Sequence, residues 1–550
     1  MNLFFETNKV PATERKLRGG YYTPGKLASY LADWAISKDS CRVLEPSCGN
    51  GNFLVPALKK LRDVCSEKFC ITAIELETDE MLAAQTRAKA AKGEVDWRFG
   101  DFFQHFSDLS SEKPYDVIIG NPPFIRFQNI DTNIRDIAFS HLKNANYKPT
   151  KLANIWAAFV QLSIELLNIN GRMALVLPAE LLQVNYAEEL RSRLVASFDN
   201  ILIIGFRKLV FPDIQQEVVL LLADGKRVND GRLSDIHTLE LEDGEELLKS
   251  VDLTHAVKHL PVKHTHPGMK WTSLFLSSDK FSALEKVAKH PSLVPLGKLA
   301  DVDVGLVTGR NSFFVIKKER MQALNAESFT SPIVGRTNGL KSLIFNASDF
   351  EALSNSNPAF ILDFNKKKTE EIPSSLLKYI SHGEKEGVNK GYKCSIRKRW
   401  FDVPSIYTPD AFLFRQIHRY PLLVVNDAKA TSTDTVHRVR VKEGVAPRKL
   451  ACSFFNSLTL AWSEVAGRSY GGGVLELEPN EAEKLPIPWN ADLDIDIEKV
   501  DNLLRKGQEI EALNYVDNIV LNGFLGLSEA SILEIRGAWQ ELRDRRINRK

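Results

Sequence analysis

Asn121-Pro122-Pro123-Phe124 follows directly on the apolar run Tyr115-Asp116-Val117-Ile118-Ile119-Gly120. Each proline fixes φ and removes an N–H donor. The residue ahead of each is pushed out of the α region. The resulting loop is stiff, and it leaves the Pro122 carbonyl able to point into a cleft. Asn121 adds a side-chain oxygen acceptor. Two acceptors facing one NH2 group would draw its lone pair out of conjugation with an attached ring, and Phe124 could stack on that ring. Such a site suits a flat base bearing an exocyclic amine, and makes that amine a better nucleophile without a strong general base. Taken alone, the tetrapeptide is also compatible with a proline-rich turn after a strand.

The elements that must position this loop lie upstream. Cys41-Arg42-Val43-Leu44-Glu45-Pro46-Ser47-Cys48-Gly49-Asn50-Gly51 is a short apolar strand running into a loop with two glycines. The stretch from Asn52 to Val64 has helical spacing, with Phe53, Leu54, Ala57, Leu58 and Leu61 on one face. Strand, glycine loop and helix in this order make a nucleotide-type cradle, because the glycines let the backbone approach a ligand. No Gly-Lys-Ser/Thr follows, which excludes a phosphate-gripping P-loop. The second strand, Cys70 to Leu76, carries Glu75 at its C-terminal end, where an acid can take ribose hydroxyls. A third strand ends in Phe99-Gly100-Asp101-Phe102-Phe103, where Asp101 could accept from an adenine amine and Phe102 cover the ring. Each acid alone is also a plausible solvated strand end; the series of three gives the pattern its meaning.

The order Tyr-Thr-Pro, Glu-Pro-x-Cys-Gly-x-Gly, Glu, Gly-Asp-Phe and Asn-Pro-Pro-Phe resembles that of the γ-class amino DNA methyltransferases, the TaqI-like N6-adenine enzymes of restriction-modification type. Gly20-Tyr21-Tyr22-Thr23-Pro24 is similar to the family's first motif. The resemblance implies S-adenosyl-L-methionine as cofactor, with Thr23, Glu45, Ser47 and Gly49 around its methionine end. It implies Glu75 on the ribose, Leu76 packing near the adenine, and Asp101 and Phe102 in contact with it. Asn121 and the Pro122 carbonyl would hold the target amine beside Pro123, and Phe124 would stack on the flipped base. Val210-Phe211-Pro212 resembles the late motif, which implies Phe211 as a second surface against that base; an ordinary hairpin core residue is the other reading. The family often has Tyr where this chain has Phe124, a change that preserves stacking but not a hydroxyl.

Composition sets wider limits. The chain has 550 residues, so two or more domains are expected. Apolar residues make up 44% and charged residues 26%, an ordinary globular balance. No apolar run approaches bilayer-spanning length, and the N-terminal residues lack a cleavable secretory pattern. Six cysteines without a Cys-x-x-Cys pair suggest neither a zinc ribbon nor a disulfide framework, and fit a reducing cytoplasm. The net charge of +2 means that any nucleic-acid surface must be local.

The expected architecture is α/β. A Rossmann-like methyltransferase domain over 1–245 would hold a mostly parallel sheet with helices on both faces and a last strand turning back antiparallel. A linker over 246–270 follows, in which His255, His259, His264 and His266 cluster without a recognisable metal set. A mixed α+β DNA target-recognition domain is expected over 271–490, and a helical segment over 491–550. In the second half, basic side chains interleave with aromatics and glycines in Val304–Phe314, Tyr392–Phe401 and Arg468–Gly473. Arg310 and the cluster Arg397, Lys398, Arg399 and Trp400 are the candidate DNA contacts, with solvated surface charge the alternative for any one of them. Arg543, Arg545, Arg546, Arg549 and Lys550 end the chain as further DNA contacts or as a frayed tail.

The expected activity is therefore methyl transfer from S-adenosyl-L-methionine to N6 of an adenine flipped out of duplex DNA. The expected protein is a cytoplasmic, nucleoid-associated monomer of prokaryotic type, without metal or membrane, acting as the modification arm of a restriction-modification or related defence system, with or without a separate cognate restriction endonuclease. Enzymes that methylate RNA or protein glutamine share the Asn-Pro-Pro signature, and a non-catalytic DNA-specificity subunit is a further alternative.

Overall fold

The computed structural model describes residues 22–548, apart from 39, 41, 66–67, 92–93, 149, 151–152, 211–216, 251–256, 258, 366 and 471. Phe211, His255, Arg549 and Lys550 therefore lie outside the described residues. The chain divides into two compact units: the first runs to Phe275, and the second covers Leu276–Ser469 and Gly473–Ile547.

The first unit is built on an eight-stranded sheet. Helix α1 (Gly25–Ala35) precedes β1 (Arg42–Glu45), and α2 (Leu54–Val64) leads to β2 (Cys70–Glu75). Then come α3 (Thr78–Ala90), β3 (Val95–Phe99), α4 (Phe102–Ser111) and β4 (Tyr115–Gly120). Helices α5 (Thr132–Asn144) and α6 (Ile155–Leu166) lead to β5 (Leu167–Pro178). Strands β6 (Phe198–Phe206), β7 (Val218–Lys226) and β8 (Asp235–Leu241) complete the sheet in the order β3-β2-β1-β4-β5-β7-β6-β8. Strands β1 to β5 run parallel, and β7 is antiparallel to both β5 and β6, as the sequence led us to expect.

The central strands read as near-continuous apolar runs because helices cover both faces. Val43 and Leu44 of β1 and Val117, Ile118 and Ile119 of β4 are fully buried. In α2 the buried residues Leu54, Ala57, Leu58 and Leu61 recur at helical spacing and form the stripe laid on the sheet.

Two boundaries differ from expectation. The stretch 246–270, expected as a linker, falls within the first unit, which runs to Phe275; ahead of it β8 pairs parallel with β6 from Asn200↔Asp235 to Phe206↔Leu241. Beyond it, the Lys263 N–H donates to the Ile236 carbonyl at 2.8 Å, and buried Lys263 places its ammonium on Thr238 Oγ1 and the Leu274 carbonyl. Polar side chains tie this segment down, so an apolar period does not reveal it. Likewise 491–550 is not a separate segment. Val500, Leu504, Leu513, Val516, Trp539 and Leu542 share one core with Phe412, Val424 and Phe454 of the second unit.

That unit holds a five-stranded sheet of Ala300–Asp303, Val436–Val441, Ala411–Phe414, Leu423–Asn426 and Ile344–Phe345 in spatial order, and a four-stranded sheet centred on Thr330–Val334 and Phe360–Leu362. Arg546 is buried, not frayed. Its guanidinium grips both Glu464 oxygens at 2.7 and 2.9 Å and donates to the His418 carbonyl at 2.9 Å.

Candidate active site

Parallel strands in the order β3-β2-β1-β4 bring their C-terminal ends to one edge, and the strand order reverses between β1 and β4. A crevice outside such a reversal is where open α/β sheets bind ligands. Here it is a cavity of about 450 Å³ lined by Thr23, Glu45, Ser47, Gly49, Glu75, Leu76, Asp101, Phe102, Asn121 and Pro123 among others. Residues far apart in the chain, from Thr23 to Phe159, thus face one volume.

The floor is a network of backbone amides on carboxylates. Glu75 accepts from the Gly49 N–H at 2.7 Å and from the Glu77 N–H at 2.9 Å. This fixes the glycine loop across the end of β2 and leaves lone pairs of the carboxylate for a ligand. Gly51 takes a φ of 82°, and a Cβ there would lie 3.2 Å from Ala84, so the loop crosses α3 where only glycine fits. Asp101 caps α4 by accepting the Phe103 N–H at 2.8 Å. The Phe102 ring stacks on Phe159 of α6 at 4.8 Å, building an apolar wall behind the acid.

Two polar atoms at the β1 end are buried without a hydrogen-bond partner among the described residues: Thr23 Oγ1 and Glu45 Oε2. The main chain of Thr23 is held by Asn52 Nδ2 at 2.8 Å. A buried polar atom without a partner is costly, and a cationic ligand with donor groups would satisfy both. Burial, with the negative charge of Glu75 next to it, pushes the Glu45 carboxyl well above its ordinary value, against the pull of Arg87. Burial likewise raises Glu75 and Asp101.

Asn121 enters from the end of β4, beside β1. Gly120 has a φ of 147°, which turns the chain out of β4, and the Asn121 carbonyl accepts from Ser47 Oγ at 3.3 Å. Downstream the loop is stitched to the start of α6: the Ile155 N–H donates to the Ile125 carbonyl at 2.7 Å, and the Phe127 N–H to the Ala153 carbonyl at 3.1 Å. Pro122 is buried, and neither it nor Phe124 lines the cavity; Phe124 is half-buried against the core of this unit. The cavity also takes in Ile130, Ile134, Ile155 and Phe159. Nothing in their local pattern distinguished them from packing residues, although the i, i+4 pair Ile155 and Phe159 does mark one face of α6.

In the second unit the structure joins two of the three basic-aromatic segments but reassigns most of their charges. Arg397 donates to the Val307 and Thr308 carbonyls at 3.1 and 2.8 Å and to the Trp400 carbonyl. Arg399 is bidentate on Asp402 and donates to the Phe364 and Lys367 carbonyls. Trp400 packs on Phe313 and donates its indole N–H to Glu384. These three were expected on DNA; in the structure they are engaged within the fold, because a guanidinium fork can satisfy several loop carbonyls at once. Arg310 and Lys398 remain exposed.

A sheet of this order, ending in a glycine loop and a carboxylate pair beside an Asn-Pro-Pro corner, defines a Rossmann-like methyltransferase unit. Residues 57–211 match the family Eco57I restriction-modification methylase, and residues 268–521 match the C-terminal domain of the Type II methyltransferase M.Eco57I. The chain is 24% identical over 496 residues to the Type II methyltransferase M.AccI of Acinetobacter calcoaceticus, covering 87% of this chain and 86% of the relative. It is 24% identical over 480 residues to M.XamI of Xanthomonas campestris pv. amaranthicola, covering 86% and 85%. In fold it resembles the Type IIL restriction-modification enzyme MmeI in complex with DNA, with a TM-score of 0.54 at 13% identity over 96% of this chain and 75% of that one. The two family matches, one in each half of the chain, and the Type II methyltransferase relatives support a restriction-modification methyltransferase of γ-class motif order. Among the described residues no helix is long and apolar enough to cross a membrane.

Proposed function

We propose that the protein methylates N6 of a specific adenine in duplex DNA, using S-adenosylmethionine, as the modification arm of a restriction-modification system with a separate cognate endonuclease. The observation that carries this reading is the convergence of Glu45, Glu75, Asp101 and Asn121 on one cavity at the strand-order reversal. The residues present fit the cofactor. Thr23 and Glu45 would hold its methionine end with Ser47 and Gly49, Glu75 the ribose, and Leu76, Asp101 and Phe102 the adenine. S-adenosylmethionine supplies a methyl group on a positively charged sulfur.

The target nitrogen lies inside the duplex, so the base must rotate out to reach the pocket. The Asn121 side-chain oxygen and the Pro122 carbonyl then accept the two N–H bonds of the amine and aim its lone pair at the methyl. Phe124 covers one ring face after swinging from its packed position, and Phe211 offers a second face. Orientation and fixed dipoles supply the rate effect. The surplus proton leaves to water after transfer, so no histidine or cysteine base is required. Incubating the protein and labelled cofactor with duplex DNA, RNA or protein tests the reading. Label should enter duplex DNA alone and appear as N6-methyladenine; label in RNA or in glutamine amides would overturn it.

Cofactor affinity should depend on pH in a defined direction. The Glu45 carboxyl is raised in the free protein, and a cation placed on it favours the ionised form. Binding therefore releases a proton. Affinity should rise with pH up to the raised value of the free protein and then level off. Calorimetry in two buffers of different ionisation enthalpy should detect that proton, and Glu45→Gln should remove both the proton release and the pH dependence. A flat pH profile for the unaltered protein would refute this linkage.

A further inference from the structure

The second unit carries an apolar patch that does not close over. Tyr392 is 74%, Ile396 64% and Val307 43% exposed, and all three come from the two joined segments. The join is tight. A Cβ at Gly309 would lie 3.1 Å from both Cys394 Sγ and Lys393 Cβ, and the Arg397 guanidinium holds the carbonyls of Val307 and Thr308. The loop bearing Val307 and Arg310 is therefore clamped onto the turn bearing Tyr392, Lys393 and Ile396. Large side chains held this far out on a rigid base mark a binding surface.

Charge names the partner. Arg310 and Lys398 have no side-chain partner among the described residues, and the Lys393 ammonium sits over the Tyr392 ring at 5.8 Å. The neighbouring acids are already engaged: Asp402 by Arg399, Glu384 by the Trp400 indole, and Glu386 by His382. Cations around aromatic and aliphatic tips, beside acids whose hydrogen bonds are already taken up within the fold, fit a polyanion that also offers apolar surface. A nucleic-acid groove has both, with phosphates along its edges and sugar and base surfaces between them.

We infer that Tyr392, Ile396 and Val307 enter a groove of duplex DNA while Arg310, Lys393 and Lys398 contact its phosphates, the joined loops forming the DNA-docking tip of the second unit. This rests on the proposed DNA substrate. Arg397, Arg399 and Trp400 then act behind the surface, as the frame that presents it.

The test uses the full chain and a pool of random-sequence DNA duplexes, with binding read by fluorescence anisotropy across a salt series. Lys393→Ala with Lys398→Ala should weaken binding by about ten-fold or more at moderate salt, and should flatten the slope of log affinity against log salt by about two. Tyr392→Ala with Ile396→Ala should weaken binding with the slope unchanged, since apolar contacts release no counterions. Both variants should keep the thermal melt and cofactor affinity of the parent, because the altered side chains are exposed. If the parent methylates duplex DNA and both variants bind it as the parent does, the docking tip is wrong and the proposed function stands. If the parent neither binds nor methylates duplex DNA, both fall.

Discussion

Replacing Asn121 by alanine is expected to lower the methyl-transfer rate by about 10²–10³-fold, the scale seen when one polar contact at a reacting atom is deleted. Affinity for S-adenosylmethionine should stay close to that of the parent. The separation is expected because the contact that holds the loop survives the substitution: Ser47 donates to the main-chain carbonyl of Asn121, not to its amide. The corner should therefore keep its place on the cavity wall while losing one acceptor for the target amine. An interaction made mainly in the transition state lowers kcat and kcat/KM together. Single-turnover methylation with labelled cofactor, alongside calorimetric cofactor binding, separates the two. A variant with near-parental turnover would remove the Asn-Pro-Pro corner from the chemistry.

Arg546→Met should destabilise the second unit by about 3–5 kcal/mol, the cost of leaving a buried charge without its partner. Arg546 and Glu464 are each only 3% exposed, and their bidentate contact is supplemented by donation to the carbonyls of Ile417, His418 and Gly473. Burial pushes the Glu464 carboxyl up, and the guanidinium pulls it back. The net direction is already upward, and with the arginine gone the folded carboxyl rises further above its unfolded value. Protonation then favours the folded state, so the deficit should shrink as pH falls and grow as pH rises through that raised value. Denaturant unfolding of parent and variant across pH provides the measurement. Adding Glu464→Leu should recover much of the loss, since apolar replacement of a whole buried pair is often close to neutral. A single variant as stable as the parent would mean that Arg546 is not the residue that compensates the Glu464 charge.

The cofactor edge was legible because its residues sit at strand ends. An apolar run stops, a glycine or proline turns the chain, and the next polar residue is placed by the geometry of a parallel sheet. Glu45, Glu75, Asp101 and Asn121 needed only the identification of four strands. Strand β8 and the segment that packs on it were not legible, since their anchors are a buried lysine and a histidine whose partners are backbone carbonyls outside their own elements. The basic cluster at Arg397–Trp400 was only partly legible for a related reason. Sequence shows that a guanidinium is present but not whether it faces phosphate or a neighbouring carbonyl.

What the sequence determined by itself is the order of the strands and turns around the cofactor edge of the first unit and the chemical types gathered at their ends, because apolar period and backbone constraint act over a few residues. Only the tertiary structure decided which charges are spent inside the second unit and which stay free on its surface. Those choices depend on acceptors far away in the chain, such as the Thr308 carbonyl for Arg397 and Glu464 and the His418 carbonyl for Arg546. Burial makes each such pairing hold, since a charge withdrawn from water must find its partner within the fold.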